Sequence, residues 1–238
     1  MTLSFTPEST VAEAAVSNPA VPRLFEALGI DYCCGGKRTI REAATRAGIA
    51  PDLVLSSLRE LSIAPAPERD WSIAPIPHLV KHIIDLHHGY IRTETPRIEG
   101  LLAKVAARHG PLHPEVIELR DVFIALSQEL ATHLIKEEQI VFPAASQLSM
   151  GFDANSGCFG SIGMPIARMF EEHDDAGALL ASIRRLTNNF HPPEDACMSF
   201  KALYHALGEF ERDLHRHIHL ENNILFPKAI EAEARLRQ

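Results

Sequence analysis

Two stretches of this chain put a carboxylate on the face that a helix should bury. HLIKEEQIVFPAA (133–145) and HIHLENNILFPKA (217–229) share one pattern: H-x-x-x-E, then Ile with Val or Leu, then Phe-Pro. A leucine precedes each by three residues, at Leu130 and Leu214. At helical spacing, Leu130, His133, Glu137, Ile140 and Val141 form one stripe, and Leu214, His217, Glu221, Ile224 and Leu225 form another. A His and a Glu four residues apart point the same way, and here that way is inward. A buried, unpaired carboxylate costs several kcal/mol or neutralises itself. Neither stripe contains Lys or Arg, so a metal cation is the natural counter-charge.

The rest of the chain supplies the partners such a site needs. Helical periodicity runs through four long segments after residue 77, and strand-like alternation persists nowhere. The first segment starts near Pro75 and Pro77, with Pro96 expected to kink it, and the second starts near Pro114. The third begins after the Gly- and Ser-rich stretch 149–163, and the fourth follows NNFHPPEDA. This count predicts an all-α fold, an antiparallel four-helix bundle preceded by a small domain of short helices. The third helix offers His173, with Gly177 one turn on leaving space beside it. The first offers His87 and His88, which periodicity alone does not separate. His88 and His133 are spaced almost as His173 and His217 are, so the bundle reads as two hairpins, each giving one His and then H-x-x-x-E.

Four imidazoles and two carboxylates are too many for one ion in one layer. Two ions, each with two His and bridged by Glu137 and Glu221, use all six. A solvent-derived oxo or hydroxo bridge would leave an open position on each. Mixed N/O donors without thiolate suit iron or manganese better than zinc. His82, His215 and His219 fall off the stripes and are expected at the surface or behind the ligands. Glu138 is expected to face solvent, and the two Phe-Pro pairs to supply a core aromatic and a helix stop.

Composition narrows the function classes. The net charge is −8 at pH 7 and no long basic run occurs, which argues against a nucleic-acid binder. No apolar run approaches a membrane span, and MTLSFTPESTVAEAAV lacks the features of a secretory signal, so a cytoplasmic location is expected. The four Cys fit a reducing compartment, since two are adjacent and two scattered.

The N-terminal part reads as residues 1–62, joined by a Pro-rich linker (63–77) to the bundle (78–238). Thr10 with Glu13 and Thr39 with Glu42 form two capping boxes, in the echoing words TVAEAA and TIREAA. Pro51 suits the first turn of a further helix. Between the capped helices lies GIDYCCGGK. A disulfide between adjacent Cys33 and Cys34 would be strained and easily reduced. The pair reads as thiols for iron, nitrosyl or redox exchange, with the helix start near Thr39 positioned to lower a thiolate pKa. Cys158 and Cys197 read as structural.

DYCCGG, H-x-x-x-E-E-Q-I-x-F-P, E-H-D-x-A-G and L-E-N-N-x-L-F-P together resemble the bacterial repair-of-iron-centres proteins, the YtfE/ScdA/DnrN group, whose bundle is a hemerythrin-like di-iron domain. The resemblance covers nearly the whole chain. It implies the ligand set His88, His133, Glu137, His173, His217 and Glu221, choosing His88 over His87, and two oxo- or hydroxo-bridged Fe ions. It further implies restoration of iron–sulphur clusters damaged by nitric oxide or oxidants, through iron donation assisted by Cys33 and Cys34. The expected partners are damaged iron–sulphur proteins, with NO or O₂ as small ligands. A homodimer is compatible with this reading, although oligomeric state is not written in the sequence. Two alternatives remain open at this stage. One is reduction of NO to N₂O at the di-iron site, for which the sequence supplies no electron-donor site. The other is an O₂ or NO carrier or sensor.

Overall fold

The computed structural model describes residues 5–63, 69–152 and 160–237; Cys158 and the middle of the Pro-rich stretch lie outside them. The N-terminal part holds α1 (Val11–Ser17), α2 (Val21–Leu28), α3 (Ile40–Arg46) and α4 (Pro51–Ile63). Both capping boxes form, with Thr10 accepting from the Glu13 backbone and Thr39 from that of Glu42, and each Glu reaching back to its cap. The two boxes abut, because Thr10 and Thr39 pair as an isolated antiparallel bridge. The internal echo is therefore two copies of a helix start joined back to back. Helix α2 ends at Gly29, whose φ of 66° is open to glycine at no steric cost. Val11, Phe25, Tyr32, Ile40, Val54 and Leu58 close a small core.

The four long segments are present, but three are not continuous α-helices. The first runs α5 (Ile76–His82), a π-helical turn Ile83–His88, and α6 (Gly89–His109). The second runs α7 (Glu115–Lys136), a π-helical turn Glu137–Val141, and α8 (Phe142–Ser149). The third is α9 (Gly163–Leu186). The fourth runs α10 (Met198–Leu220), a π-helical turn Glu221–Leu225, and α11 (Phe226–Leu236). Helix α7 packs on α9 and on α6, α10 on α6, and α11 on α8.

The Phe-Pro pairs do not stop their helices. Phe142 N–H donates to Glu137 O and Phe226 N–H to Glu221 O, five residues back. Pro143 and Pro227 then fall in the first turn of the next helix, where a missing N–H costs nothing. The wider turn also changes the helical phase. Ile140, expected on the buried stripe, is 41% exposed, while Val141 is buried. Helix α6 runs on through Pro96 to His109, and the irregularity in this segment is the π-helical turn before it.

The bundle has two apolar clusters. One contains Leu102, Phe123, Leu126, Leu130, Leu180, Phe210 and Leu214. The other contains Leu79, Phe142, Ile166, Met169, Leu225 and Phe226. The six predicted ligands fall within about a turn of the point where each segment passes from one cluster to the other, which places a polar layer inside an otherwise apolar bundle.

Candidate metal centre

The layer is dry. His88, Glu137, His217 and Glu221 are fully buried, and His133 and His173 nearly so. Their donor atoms form two overlapping groups: His88, His217, Glu137 and Glu221; and His133, His173, Glu137 and Glu221. Each imidazole pair therefore takes one member from each predicted hairpin.

The carboxylates divide their oxygens between the pairs. Glu137 Oε2 lies 3.4 Å from His88 Nε2, and its Oε1 lies 3.2 Å from His133 Nε2. Glu221 Oε1 lies 2.9 Å from His217 Nε2, and its Oε2 lies 3.2 Å from His173 Nε2. Within each pair the Nε2 atoms meet head to head, at 3.2 Å for His88 and His217 and 3.1 Å for His173 and His133. Such contacts make poor hydrogen bonds but are the spacing of ligands around one ion.

Both oxygens of Glu137 and Oε2 of Glu221 lack a hydrogen-bond partner among the described residues. Buried carboxylate oxygens are ordinarily satisfied. These orphaned oxygens, facing four imidazole nitrogens, fit metal cations, and the donor set of nitrogen and oxygen suits iron.

The electrostatics agree. Burial opposes ionisation of Glu137 and Glu221, yet the facing imidazoles outweigh it, and both carboxyls stay below the usual glutamate range. Burial likewise disfavours a charged His133, but Glu137 outweighs it and raises the pKa to about 9. His88 also rises above its ordinary value, burial again being overcome by Glu137. His217 is pushed down by burial.

Outer partners orient three of the four rings. His133 Nδ1 lies 2.9 Å from Glu172, a carboxylate also bound by Lys136 and Arg168. His173 Nδ1 lies 2.7 Å from the side-chain oxygen of Asn222. His88 Nδ1 lies 2.7 Å from Glu138, which also accepts from Arg92. Glu138 is thus a support for a candidate ligand, not a solvent-facing residue. Glu172 and Asn222 escaped the sequence reading, although both sit beside a candidate ligand in the motifs E-H-D and L-E-N-N. His217 Nδ1 has no partner among the described residues.

His87 and His88 separate cleanly. His87 is buried but gives its Nδ1 to Asp213 at 3.0 Å and stacks parallel to His217, with ring centroids 5.7 Å apart. His219 is buried, with its Nδ1 at 2.9 Å from Asn223 and the edge of Tyr32 against its ring. His82 stacks on Trp71 at 4.1 Å. A cavity of about 160 Å³ reaches the layer at His133, His173 and His217, and Lys136, Arg168 and Glu172 also line it.

The cysteine loop lies against this layer. Asn222 Nδ2 donates to Cys33 O and Asn223 Nδ2 to Tyr32 O, so two residues next to Glu221 hold the loop. Cys34 Sγ lies 3.4 Å from the backbone oxygen of His173. Gly177 faces the Cys34 thiol and not the His173 ring. A Cβ on Gly36 would fall 2.8 Å from Asn223 Oδ1, so glycine permits this approach. The thiols are free, with Sγ atoms 3.8 Å apart. The expectation of a lowered thiolate pKa fails at Cys33. Its hydrogen bond to Cys34 and its burial raise the thiol well above its ordinary value. Cys197 is exposed, with Sγ 3.2 Å from His109 Nε2, so it is not the buried structural residue expected.

Residues 79–229 match the hemerythrin HHE cation binding domain, and residues 7–62 match a domain of unknown function named ScdA_N. The chain is 38% identical to the iron-sulfur cluster repair protein YtfE of Dickeya chrysanthemi, across 95% of this chain and 98% of that protein. The YtfE proteins of Citrobacter koseri and Pectobacterium atrosepticum are 38% and 37% identical over the same shares. The chain belongs to the YtfE family. The match to the cation binding domain spans the bundle that carries the His and Glu layer. No helix among the described residues is long and apolar enough to cross a membrane.

Proposed function

We propose that this chain repairs iron–sulphur clusters, the role named for its relatives, by holding two iron ions in the bundle and giving iron to damaged cluster proteins. The observation that carries this reading is the pair of overlapping groups sharing Glu137 and Glu221, with three carboxylate oxygens that no donor among the described residues satisfies. His88 and His217 would hold one ion, His133 and His173 the other. Bound iron would supply both the cargo and a redox-capable centre for small ligands such as NO or O₂. Glu137 and Glu221 carry the negative charge that offsets two cations, and Glu172, Asn222 and Glu138 keep the Nε2 atoms of three rings aimed inward. Cys34, docked against the backbone of His173, and Cys33, held at its carbonyl by Asn222, would be the thiols through which iron passes to a client. In this reading residues 1–62 form the cysteine-bearing unit, residues 63–77 the linker and residues 78–238 the iron unit, working in the cytoplasm.

Metal analysis with an optical spectrum of the oxidised protein tests the centre. About two irons per chain and oxo-bridged ferric absorption support it; a metal-free protein after growth in ample iron overturns it. The repair role is tested with an NO-damaged iron–sulphur enzyme. Iron-loaded protein should restore its activity, and the Cys33→Ser/Cys34→Ser variant should keep its iron yet restore little. Full restoration by that variant would remove the cysteines from the mechanism.

A further inference from the structure

We infer that the two metal positions are unequal, and that the ion held by His88 and His217 is the one released first. The inference rests on the di-iron reading above and specifies which part of the site is the donating part.

All four imidazoles face the layer through Nε2. A neutral imidazole that ligates through Nε2 must carry its proton on Nδ1. That Nδ1–H is then a donor in need of an acceptor. At the His133/His173 position both rings have one. Glu172 accepts from His133 and is itself clamped by Lys136 and Arg168. Asn222 Oδ1 accepts from His173, and the amide is locked because its nitrogen donates to Cys33 O. Both ligating tautomers are fixed, and one is made more basic by an anion.

At the His88/His217 position only His88 is supported, by Glu138. His217 Nδ1 is buried and finds no acceptor among the described residues. His87 lies parallel to the His217 ring and spends its own Nδ1 on Asp213. Asp213 sits one turn before His217 on α10, with one carboxylate oxygen on the His87 ring and the other without a partner among the described residues, His217 Nδ1 included. Binding through His217 therefore leaves its Nδ1–H without an acceptor among the described residues, whereas binding through the other three rings completes a hydrogen bond. Loss of one outer partner weakens a metal site about 10–100-fold, and a gap of that size between the two positions is expected. The bridging carboxylates do not remove it, because each gives one oxygen to either side.

The test uses the full chain loaded anaerobically with Fe²⁺. A calibrated ferrous chelator is added in steps, and anomalous diffraction at the iron edge reads the occupancy of the two positions at half-removal. The peak between His88 and His217 should be largely gone while that between His133 and His173 remains. In solution the same titration should resolve two affinity classes about 10–100-fold apart. Glu138→Gln should weaken only the looser class, and Glu172→Gln only the tighter one. Equal depletion of both peaks, a single affinity class, or first loss at His133/His173 would overturn the inference while leaving the di-iron reading intact. Failure of the chain to take up Fe²⁺ at all would overturn both.

Discussion

Glu172→Gln isolates one charge beside the metal layer. Glu172 is 13% exposed and joins His133, Lys136 and Arg168, while Gln keeps its shape and an acceptor oxygen. Burial opposes the charge, but Lys136, His133 and Arg168 outweigh it and take the carboxyl from 4.5 to about 2. That difference corresponds to about 3 kcal/mol in favour of the ionised folded state. Lys136 and Arg168 are 40% and 59% exposed, so solvent screens part of it. About 2 kcal/mol should remain at neutral pH and low salt, or roughly 4–8 °C in melting temperature for a protein of this size. The sign follows from a depressed folded pKa: the contribution is present above pH 4.5 and is lost as pH falls towards 2. Thermal melts of both metal-free proteins, from pH 7 down to the acid limb, provide the assay. The variant should melt lower at pH 7, and the gap should close with acid and shrink in high salt. Melting within 1 °C of the parent at pH 7 and low salt would refute the claim that this carboxylate is held ionised by its three partners.

Other outcomes follow from the same geometry. Glu137→Leu and Glu221→Leu should each empty both positions, since each carboxylate belongs to both donor groups; iron per chain measured after gel filtration should fall well below one. His87→Gln should keep both irons, because His87 serves Asp213 and not the layer; iron loss matching that of His88→Ala would contradict this. Asn222→Leu strands both His173 Nδ1 and the Cys33 carbonyl, at about 1–3 kcal/mol for each buried group, and should speed the reaction of Cys33 with a thiol reagent several-fold. Gly36→Val should disturb the loop's seat on Asn223 and raise thiol reactivity with the bundle iron unchanged.

Much of the centre could be read from one line of residues because its ligands lie on helices, where spacing fixes direction. His133, Glu137, His217 and Glu221 were readable as inward pairs for that reason. His88 could not be told from His87, since adjacent residues differ by 100° and both have apolar neighbours one turn away. Their contacts separate them in space: His87 meets Asp213, while His88 meets Glu138, Glu137 and the Nε2 of His217. Glu138, Glu172 and Asn222 were unreadable as supports because their roles depend on which helices meet across the bundle. The docking of the cysteine loop on Asn222 and Asn223 joins residues far apart in the chain, and no local spacing encodes it. Ile140 was misplaced, lying in the π-helical turn that follows Lys136, whereas Ile224 at the matching place of the fourth segment is buried as expected.

That last error points to a property of the chain itself. Each π-helical turn adds a residue to one lap of the backbone, so the segment beyond it is rotated by about 100° from where a regular helix would leave it. Helices α8 and α11 bury Phe142 and Phe226 immediately beyond this offset. Straightening the turn at its full length would swing the apolar side of α8 towards water, whereas deleting a single residue between Glu137 and Val141 would restore a regular helix with that side still facing inward. The lengths of these short insertions, as much as the identities of the metal-facing residues, set the register in which the bundle closes.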